Sequence, residues 1–167
     1  ILINSPEYGE HNPVNITVPM ATYETPLWPS VNRGAKISQY SNGINIIVTK
    51  ECMTRSIALQ AKDAMTARKT INKILSPAAF TQLETEVSKT SRFAKLINIH
   101  PEQIGNLIYL RLEYQTGDAS GHNMTTLASE YIQNWLLKNF TELSYVAVSG
   151  NFCIDKKTSA VNSLLGR

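Results

Sequence analysis

Residues 106–114 read NLIYLRLEY. Ile108, Leu110, Leu112 and Tyr114 fall on one side of this stretch, and Tyr109, Arg111 and Glu113 on the other. Successive side chains of a strand point to opposite faces, so the alternation predicts an antiparallel strand with one buried face. The chain then passes through GDASGHNM at 117–124 into the clearest helical pattern, over 121–140. There Met124, Leu127, Ala128, Tyr131, Ile132, Trp135, Leu136 and Phe140 make a continuous apolar stripe. LSYVAV at 143–148 reads as a closing strand.

Upstream, KLINI at 95–99 is a further strand. Ser76-Pro77 starts a helix by cap and first-turn proline, with Phe80, Leu83 and Val87 on one face. Within 61–75, Ala64, Ala67, Ile71, Ile74 and Leu75 recur at helical spacing, and SIALQ at 56–60 is a short strand. From Ser56 the order is strand, helices, strand, strand, helix, strand. That order predicts an α+β, ferredoxin-like (split βαβ) antiparallel sheet with helices on one face. Nearer the start, Ile16–Met20 reads as a short strand and GINIIVT at 43–49 as another. Between them Thr25 is the expected N-cap, with Pro26 in the first helical position, of a helix reaching about Ile37.

The chain has 167 residues, of which 43% are hydrophobic and 17% charged, so a packed core is expected rather than disorder. No apolar run approaches the roughly 20 residues of a membrane span, and residues 1–15 lack a signal-peptide pattern. Two cysteines, Cys52 and Cys153, are too few for a disulfide scaffold and point to free thiols in a reducing, cytoplasmic setting. A net charge of +3 mildly favours anionic ligands and does not by itself argue for nucleic acid. Because the first residue is Ile1, the chain is expected to be a trimmed or processed piece.

Two stretches carry chemistry. In GDASGHNM, glycines stand where a helix begins; exposed N–H groups there attract anions, and glycine permits close approach. The same residues also fit a tight turn with Asp118 as cap. In VSGNFCIDKK at 148–157, a strand end is followed by Ser149, Gly150 and Asn151, then Asp155, Lys156 and Lys157. A solvated surface turn fits this composition. Yet Phe152, Cys153 and Ile154 should bury, and a lysine on a partly buried loop can bind a carboxylate or polarise a carbonyl.

VPMATYE at 18–24, SVNRG at 30–34, MTR at 53–55, TSRFAKL at 90–96, GDASGHNM and VSGNFCIDKK occur in that order between Val18 and Arg167. Together they resemble 3-hydroxy-3-methylglutaryl-coenzyme A (HMG-CoA) reductase. The last two are similar in form to the class containing the eukaryotic and archaeal enzymes, which implies NADPH as cofactor. The resemblance implies an oxidoreductase of the mevalonate (isoprenoid) pathway that reduces HMG-CoA to mevalonate and coenzyme A with two hydrides. It also implies a domain plan. Residues 1–55 would belong to a large α/β substrate-binding domain and 56–148 to a small ferredoxin-like NADP-binding domain inserted in it. Residues 149–167 would form a loop and the start of the return.

Residue by residue, Lys156 matches the catalytic lysine whose ammonium stabilises the developing oxyanion. Glu24 matches the catalytic glutamate, a carboxyl held protonated by burial. Arg55, Ser149, Asp155 and Lys157 match residues that hold the HMG moiety, and Asn32 and Arg33 match positions that contact coenzyme A. Ser91, Arg92 and Phe93 match the segment at the adenine end of NADP, with Arg92 facing the 2′-phosphate. Asp118, Ser120, Gly121, His122 and Asn123 match the dinucleotide-binding loop; no metal is implied. Read without the resemblance, Glu24 is a first-turn glutamate, Arg33 a helix C-terminal dipole partner and Arg55 a strand-end surface arginine.

This sequence departs from the family pattern at Thr25-Pro26, Trp28 and Pro29, over Ser38–Ile44, and at Ser120 and His122, where methionines are common. The family's third catalytic acid and C-terminal histidine have no counterpart up to Arg167, so the isolated chain is expected to turn over negligibly, and a homo-oligomer is expected of the full-length protein. Two other readings are a ferredoxin-like nucleic-acid-binding module and a non-catalytic paralogue with an assembly role. The former needs aromatics exposed on the sheet, of which Tyr109 is the candidate on NLIYLRLEY.

Overall fold

A computed structural model describes residues 1–8, 13–20 and 23–153. The chain divides into two compact units, Ile1–Thr49 and the part from Lys50 onward.

In the first unit, β1 (Leu2–Asn4) pairs antiparallel with β2 (Val14–Asn15) and parallel with β3 (Ile44–Asn45). A single helix, α1 (Leu27–Tyr40), joins β2 to β3. The buried Ser38 of α1 ties the helix to this small sheet: its Oγ accepts from the Leu2 amide at 3.2 Å and donates to the Ala35 carbonyl at 2.7 Å. Three sequence expectations are corrected here. GINIIVT is a strand only over Ile44–Asn45, opposite Ile3 and Asn4, and the Ile46 amide donates to the Asn4 carbonyl at 2.8 Å as the chain leaves β1; Ile47 and Val48 are exposed. The strand placed at Ile16–Met20 lies instead at Val14–Asn15. Thr25 does not cap α1: Pro26 occupies the cap position without a side-chain bond, and the Leu27 amide donates to the Glu24 carbonyl at 3.0 Å.

The second unit runs β4 (Met53–Ala61), α2 (Ala64–Ile74), α3 (Pro77–Ser88), β5 (Lys95–Ile104), β6 (Leu107–Gln115), α4 (His122–Asn139) and β7 (Leu143–Val148). The sheet order is β5-β6-β4-β7 and every neighbouring pair is antiparallel. That is the ferredoxin-like arrangement the element order predicts. Two helix starts follow from their caps: Asp63 Oδ1 accepts from the Thr66 amide at 2.7 Å, and Ser76 Oγ from the Ala79 amide at 3.3 Å. β5 continues past Ile99 through Pro101 to Ile104, further than KLINI suggests. It can do so because β5 is an edge strand, where a missing amide donor is tolerated. One face of the sheet packs with α2, α3 and α4 around Ile57, Leu59, Ile108, Leu110 and Leu112.

The opposite face of β6 differs from expectation. Arg111 and Glu113 are only 5% and 4% exposed. Register explains part of this: Glu113 lies opposite Asn98 and Arg111 opposite His100. The Glu113 carboxylate accepts from Lys50 Nζ at 2.7 and 2.8 Å and pairs with His100 Nε2 at 2.9 Å. Phe152 covers Arg111, with the guanidinium 5.0 Å from the ring centroid. Phe152 also lies 5.9 Å from the half-buried Tyr109 ring, tilted 60° to it.

Burial works against the Glu113 carboxylate, but the Lys50 hydrogen bond and the pull of His100 outweigh it and hold its pKa below the ordinary 4.5. Such a group stabilises the fold above its unfolded pKa and loses that contribution as pH falls through the folded value. Glu113→Gln is therefore expected to cost about 2 kcal/mol at pH 7. It should also flatten the loss of stability on acidification below pH 4.5. Urea unfolding across a pH series checks both; a mutant curve parallel to wild type would remove Glu113 as the source.

Candidate functional site

The register of the second sheet brings four chain segments to one end. Met53, where β4 begins, lies opposite Tyr114 near the end of β6, and Lys95, where β5 begins, lies opposite Gln115. Val148, the last residue of β7, lies opposite Ile57 and runs toward the start of β4. The α3–β5 loop, the β6–α4 loop and the segment after β7 thus leave the sheet at the same end. These carry Ser91–Phe93, Asp118–Asn123 and Ser149, with Arg55 on β4 beside them.

The β6–α4 loop is built by its own polar and steric constraints. Thr116 Oγ1 donates to the Ala119 carbonyl at 2.6 Å, closing a turn that passes through Gly117 at φ +63°. Gly121 is the cap residue of α4 at φ +83°, and its carbonyl accepts from the Thr125 amide at 2.9 Å. A Cβ on Gly121 would lie 2.4 Å from Thr116 Cγ2. The glycine is therefore required by the loop's own closure, whatever approaches from outside. The cap position of α4 is taken by Gly121, so Asp118 is not the cap residue. Asp118, Ser120 and Asn123 are exposed and His122 is half-buried; Ser120 Oγ lies 3.3 Å from His122 Nδ1. A cleft of about 160 Å³ opens between this loop and Glu51, Cys52 and Met53.

In the α3–β5 loop, Ser91 Oγ accepts from the Phe93 amide at 3.1 Å. The exposed Arg92 guanidinium lies 4.7 Å from the exposed Phe93 ring. That stack gives a solvent-facing cation a preferred direction.

Arg55 is not a strand-end surface residue. It is the third residue of β4, half-buried, and lies opposite Leu112, on the helix-facing side of the sheet. Its Nε is buried without a hydrogen bond, and among the described residues no carboxylate pairs with it. Its Nη1 reaches Cys153 Sγ at 4.0 Å, and the same sulfur accepts from the Ser56 amide at 3.2 Å and lies 3.5 Å from Ser149 Oγ. Arg55 and Ser149 are thus brought together across Cys153. Ser149 is held by Ser56 at both backbone groups: its amide donates to the Ser56 carbonyl at 2.6 Å, and its carbonyl accepts from Ser56 Oγ at 2.6 Å. Beneath Arg55, burial drives the Tyr114 phenol well above its ordinary pKa, against the smaller opposing effects of its 2.8 Å bond to Ser129 and of the Arg55 charge.

Neither Ser56 nor Cys153 has a site role in the sequence pattern, which indicates only that Cys153 is a free thiol that should bury. A strand serine and a lone loop cysteine carry no local signal; only their pairing across the end of the sheet does. Asp155, Lys156 and Lys157 lie outside the described residues.

The remaining candidates belong to the first unit. Glu24 is exposed, and its carbonyl accepts from the Leu27 amide where α1 begins. Asn32 and Arg33 are exposed on α1. Arg33 sits in mid-helix, where its Nη2 donates to Ser30 Oγ at 3.2 Å, so it is not a partner of the helix C-terminus. Among the described residues no helix is long and apolar enough to cross a membrane.

A profile of the hydroxymethylglutaryl-coenzyme A reductase family matches residues 3–167. Over 159 residues the chain is 38% identical to the 3-hydroxy-3-methylglutaryl-coenzyme A reductase of Pyrococcus abyssi, covering 95% of this chain and 39% of that protein. It is 35% identical over 167 residues to 3-hydroxy-3-methylglutaryl-coenzyme A reductase 1 of Hevea brasiliensis, covering 100% of this chain and 28% of that protein. The chain therefore spans less than two fifths of the length of either relative. It superposes with a TM-score of 0.57 on a class II 3-hydroxy-3-methylglutaryl-CoA reductase from Streptococcus pneumoniae, solved bound to NADPH in open conformations. That match has 20% identity and covers 85% of this chain and 40% of the other, a likeness of fold.

Proposed function

The chain belongs to the hydroxymethylglutaryl-coenzyme A reductase family, and from that premise we propose that it carries the NADPH-binding module and part of the substrate site of an enzyme that reduces HMG-CoA to mevalonate and coenzyme A. The observation that carries this reading is the convergence of the α3–β5 loop, the β6–α4 loop, Arg55 and Ser149 at one end of one sheet.

The residues there suit the proposed ligands. Arg92, exposed and aimed by Phe93, suits the 2′-phosphate that separates NADPH from NADH, and Ser91 shapes the turn beneath it. The cap residue of α4 is a glycine, and leading helix amides favour an anion. In this reading Asp118, Ser120, Gly121, His122 and Asn123 form the wall against which the dinucleotide lies. Arg55, a guanidinium without a carboxylate partner among the described residues, suits the terminal carboxylate of the HMG group through two parallel bonds. Ser149 faces it across Cys153.

The coenzyme supplies hydride. The chain's own groups do the rest of the work assigned to it. Asp155 and Lys157 hold the acyl group, and the Lys156 ammonium neutralises charge that develops on the carbonyl oxygen. Glu24 serves as a proton donor of the assembled enzyme. Asn32 and Arg33 meet coenzyme A. Assembly as a homo-oligomer belongs to the same reading.

Titrating the chain with NADPH and with NADH, followed by coenzyme fluorescence, tests this. Arg92→Ala is expected to weaken NADPH binding about tenfold, the loss of one charge-assisted contact, and to leave NADH binding almost unchanged. Equal NADPH affinity in wild type and variant would remove the phosphate contact. Absence of saturable NADPH binding to the wild type would remove the coenzyme site itself.

A further inference from the structure

Three consecutive residues after β7 have left-handed backbone: Ser149 at φ +88°, Gly150 at +50° and Asn151 at +58°. Only glycine adopts this region without cost, and the other two persist there only when their surroundings hold them. Three sets of contacts do so. Ser56 grips both backbone groups of Ser149. Gly150 lies tight against the sheet, where a Cβ would sit 3.0 Å from Ala58 Cβ and 3.2 Å from Tyr109 Cε1. Phe152 donates its amide to the Ser149 carbonyl at 3.1 Å and lays its ring against Tyr109 and over the Arg111 guanidinium.

Arg111 is the unusual member. It is 5% exposed, and its Nε has no hydrogen-bond partner. Glu113, the carboxylate on the same face of β6, is engaged by Lys50 and His100 instead. A buried cation without a carboxylate is a poor stabilising device, and an apolar residue of similar volume commonly serves a core as well or better. Among the described residues Arg111 has no carboxylate partner and keeps a desolvated cation–π contact with Phe152, the stronger kind of that interaction.

We propose that Arg111 is a positioning residue: its stack on Phe152 holds the Ser149–Cys153 loop in its left-handed path and so presents Ser149 and Cys153 beside Arg55. The functional meaning of Ser149 rests on the reading given under Proposed function; the clamp rests on geometry alone.

The test uses Cys153 as reporter. The chain has two cysteines, so Cys52→Ser leaves Cys153 as its sole thiol. The rate of Cys153 alkylation by iodoacetamide is measured under native conditions beside the urea unfolding midpoint. Arg111→Met and Phe152→Leu are each expected to raise the alkylation rate roughly tenfold through local opening, with the midpoint nearly unchanged. The double variant should label no faster than the faster single, because both remove one shared contact. Phe152→Tyr keeps the aromatic face and should retain the wild-type rate. Unchanged labelling in both single variants overturns the clamp. So do multiplicative effects in the double variant, or a rate that rises only in step with a falling midpoint, which would make Arg111 a general packing residue. No coenzyme enters this experiment. A wild type that fails to bind NADPH therefore counts against the functional reading alone, and unchanged labelling counts against the clamp alone.

Discussion

Gly121→Ala is expected to destabilise the second unit by about 4 kcal/mol, seen as a fall in the urea midpoint without a change in slope. Two costs add. The backbone is at φ +83°, where an L side chain costs about 1–2 kcal/mol. The new Cβ would also overlap Thr116, at 2.4 Å from Cγ2 and 2.8 Å from Cβ. Thr116 cannot simply swing aside, because its side chain is buried and its Oγ1 is bonded to the Ala119 carbonyl. Gly117 provides the control within the same loop. Its φ is +63°, but nothing lies within 4 Å of an added Cβ, so Gly117→Ala should show the backbone cost alone, about 1 kcal/mol. Equal losses at the two positions would mean that the loop is not closed on Thr116. Since this loop is the proposed wall of the coenzyme site, Gly121→Ala should also abolish NADPH binding, while Gly117→Ala weakens it only modestly.

Ile132→Ala should cost about 3–4 kcal/mol, because it removes a fully buried side chain from the seam between α4 and the sheet and leaves a cavity the strands cannot close. Leu127→Ala and Tyr131→Ala, drawn from the same apolar stripe, should each cost about 1 kcal/mol or less. Both are exposed, at 44% and 40%. Chemical denaturation of the three variants side by side checks the ranking. A loss at Tyr131 as large as that at Ile132 would show that α4 is rotated from the orientation described.

Those contrasts mark how far the sequence could be read. Strict alternation in NLIYLRLEY and the Ser76-Pro77 helix start each act over a few residues, and the structure places strand and helix where they indicate. The face of β6 carrying Ile108, Leu110, Leu112 and Tyr114 is buried, as alternation requires. What alternation cannot register is a cover on the other face. Arg111 and Glu113 have the signature of a solvated edge, and they are buried because Phe152, Lys50 and His100 arrive from elsewhere in the chain. On α4 the stripe identified a helix but overstated its buried arc. Ala128, Ile132 and Leu136 are enclosed, while Leu127 and Tyr131 lie outside the seam.

The first unit was the least legible. GINIIVT has the composition of a strand, but it pairs with β1 only at Ile44 and Asn45. Thr25 has the chemistry of a cap, but the chain turns through Thr25 and Pro26 before α1 begins. Local chemistry proposes such features; a partner elsewhere in the chain must accept them.

By itself, then, the amino-acid order determined the succession of elements in the second unit and the burial of one face of β6. These depend on periodicity and side-chain chemistry, which act locally. Tertiary structure alone decided that Arg55 and Ser149 meet across Cys153, that Ser56 holds the loop between them, and that Gly121 is demanded by Thr116. The meeting of Arg55, Ser56 and Ser149 depends on antiparallel register, which brings together residues as many as 98 positions apart, and register is settled only when the whole sheet and the helices that cover it assemble together.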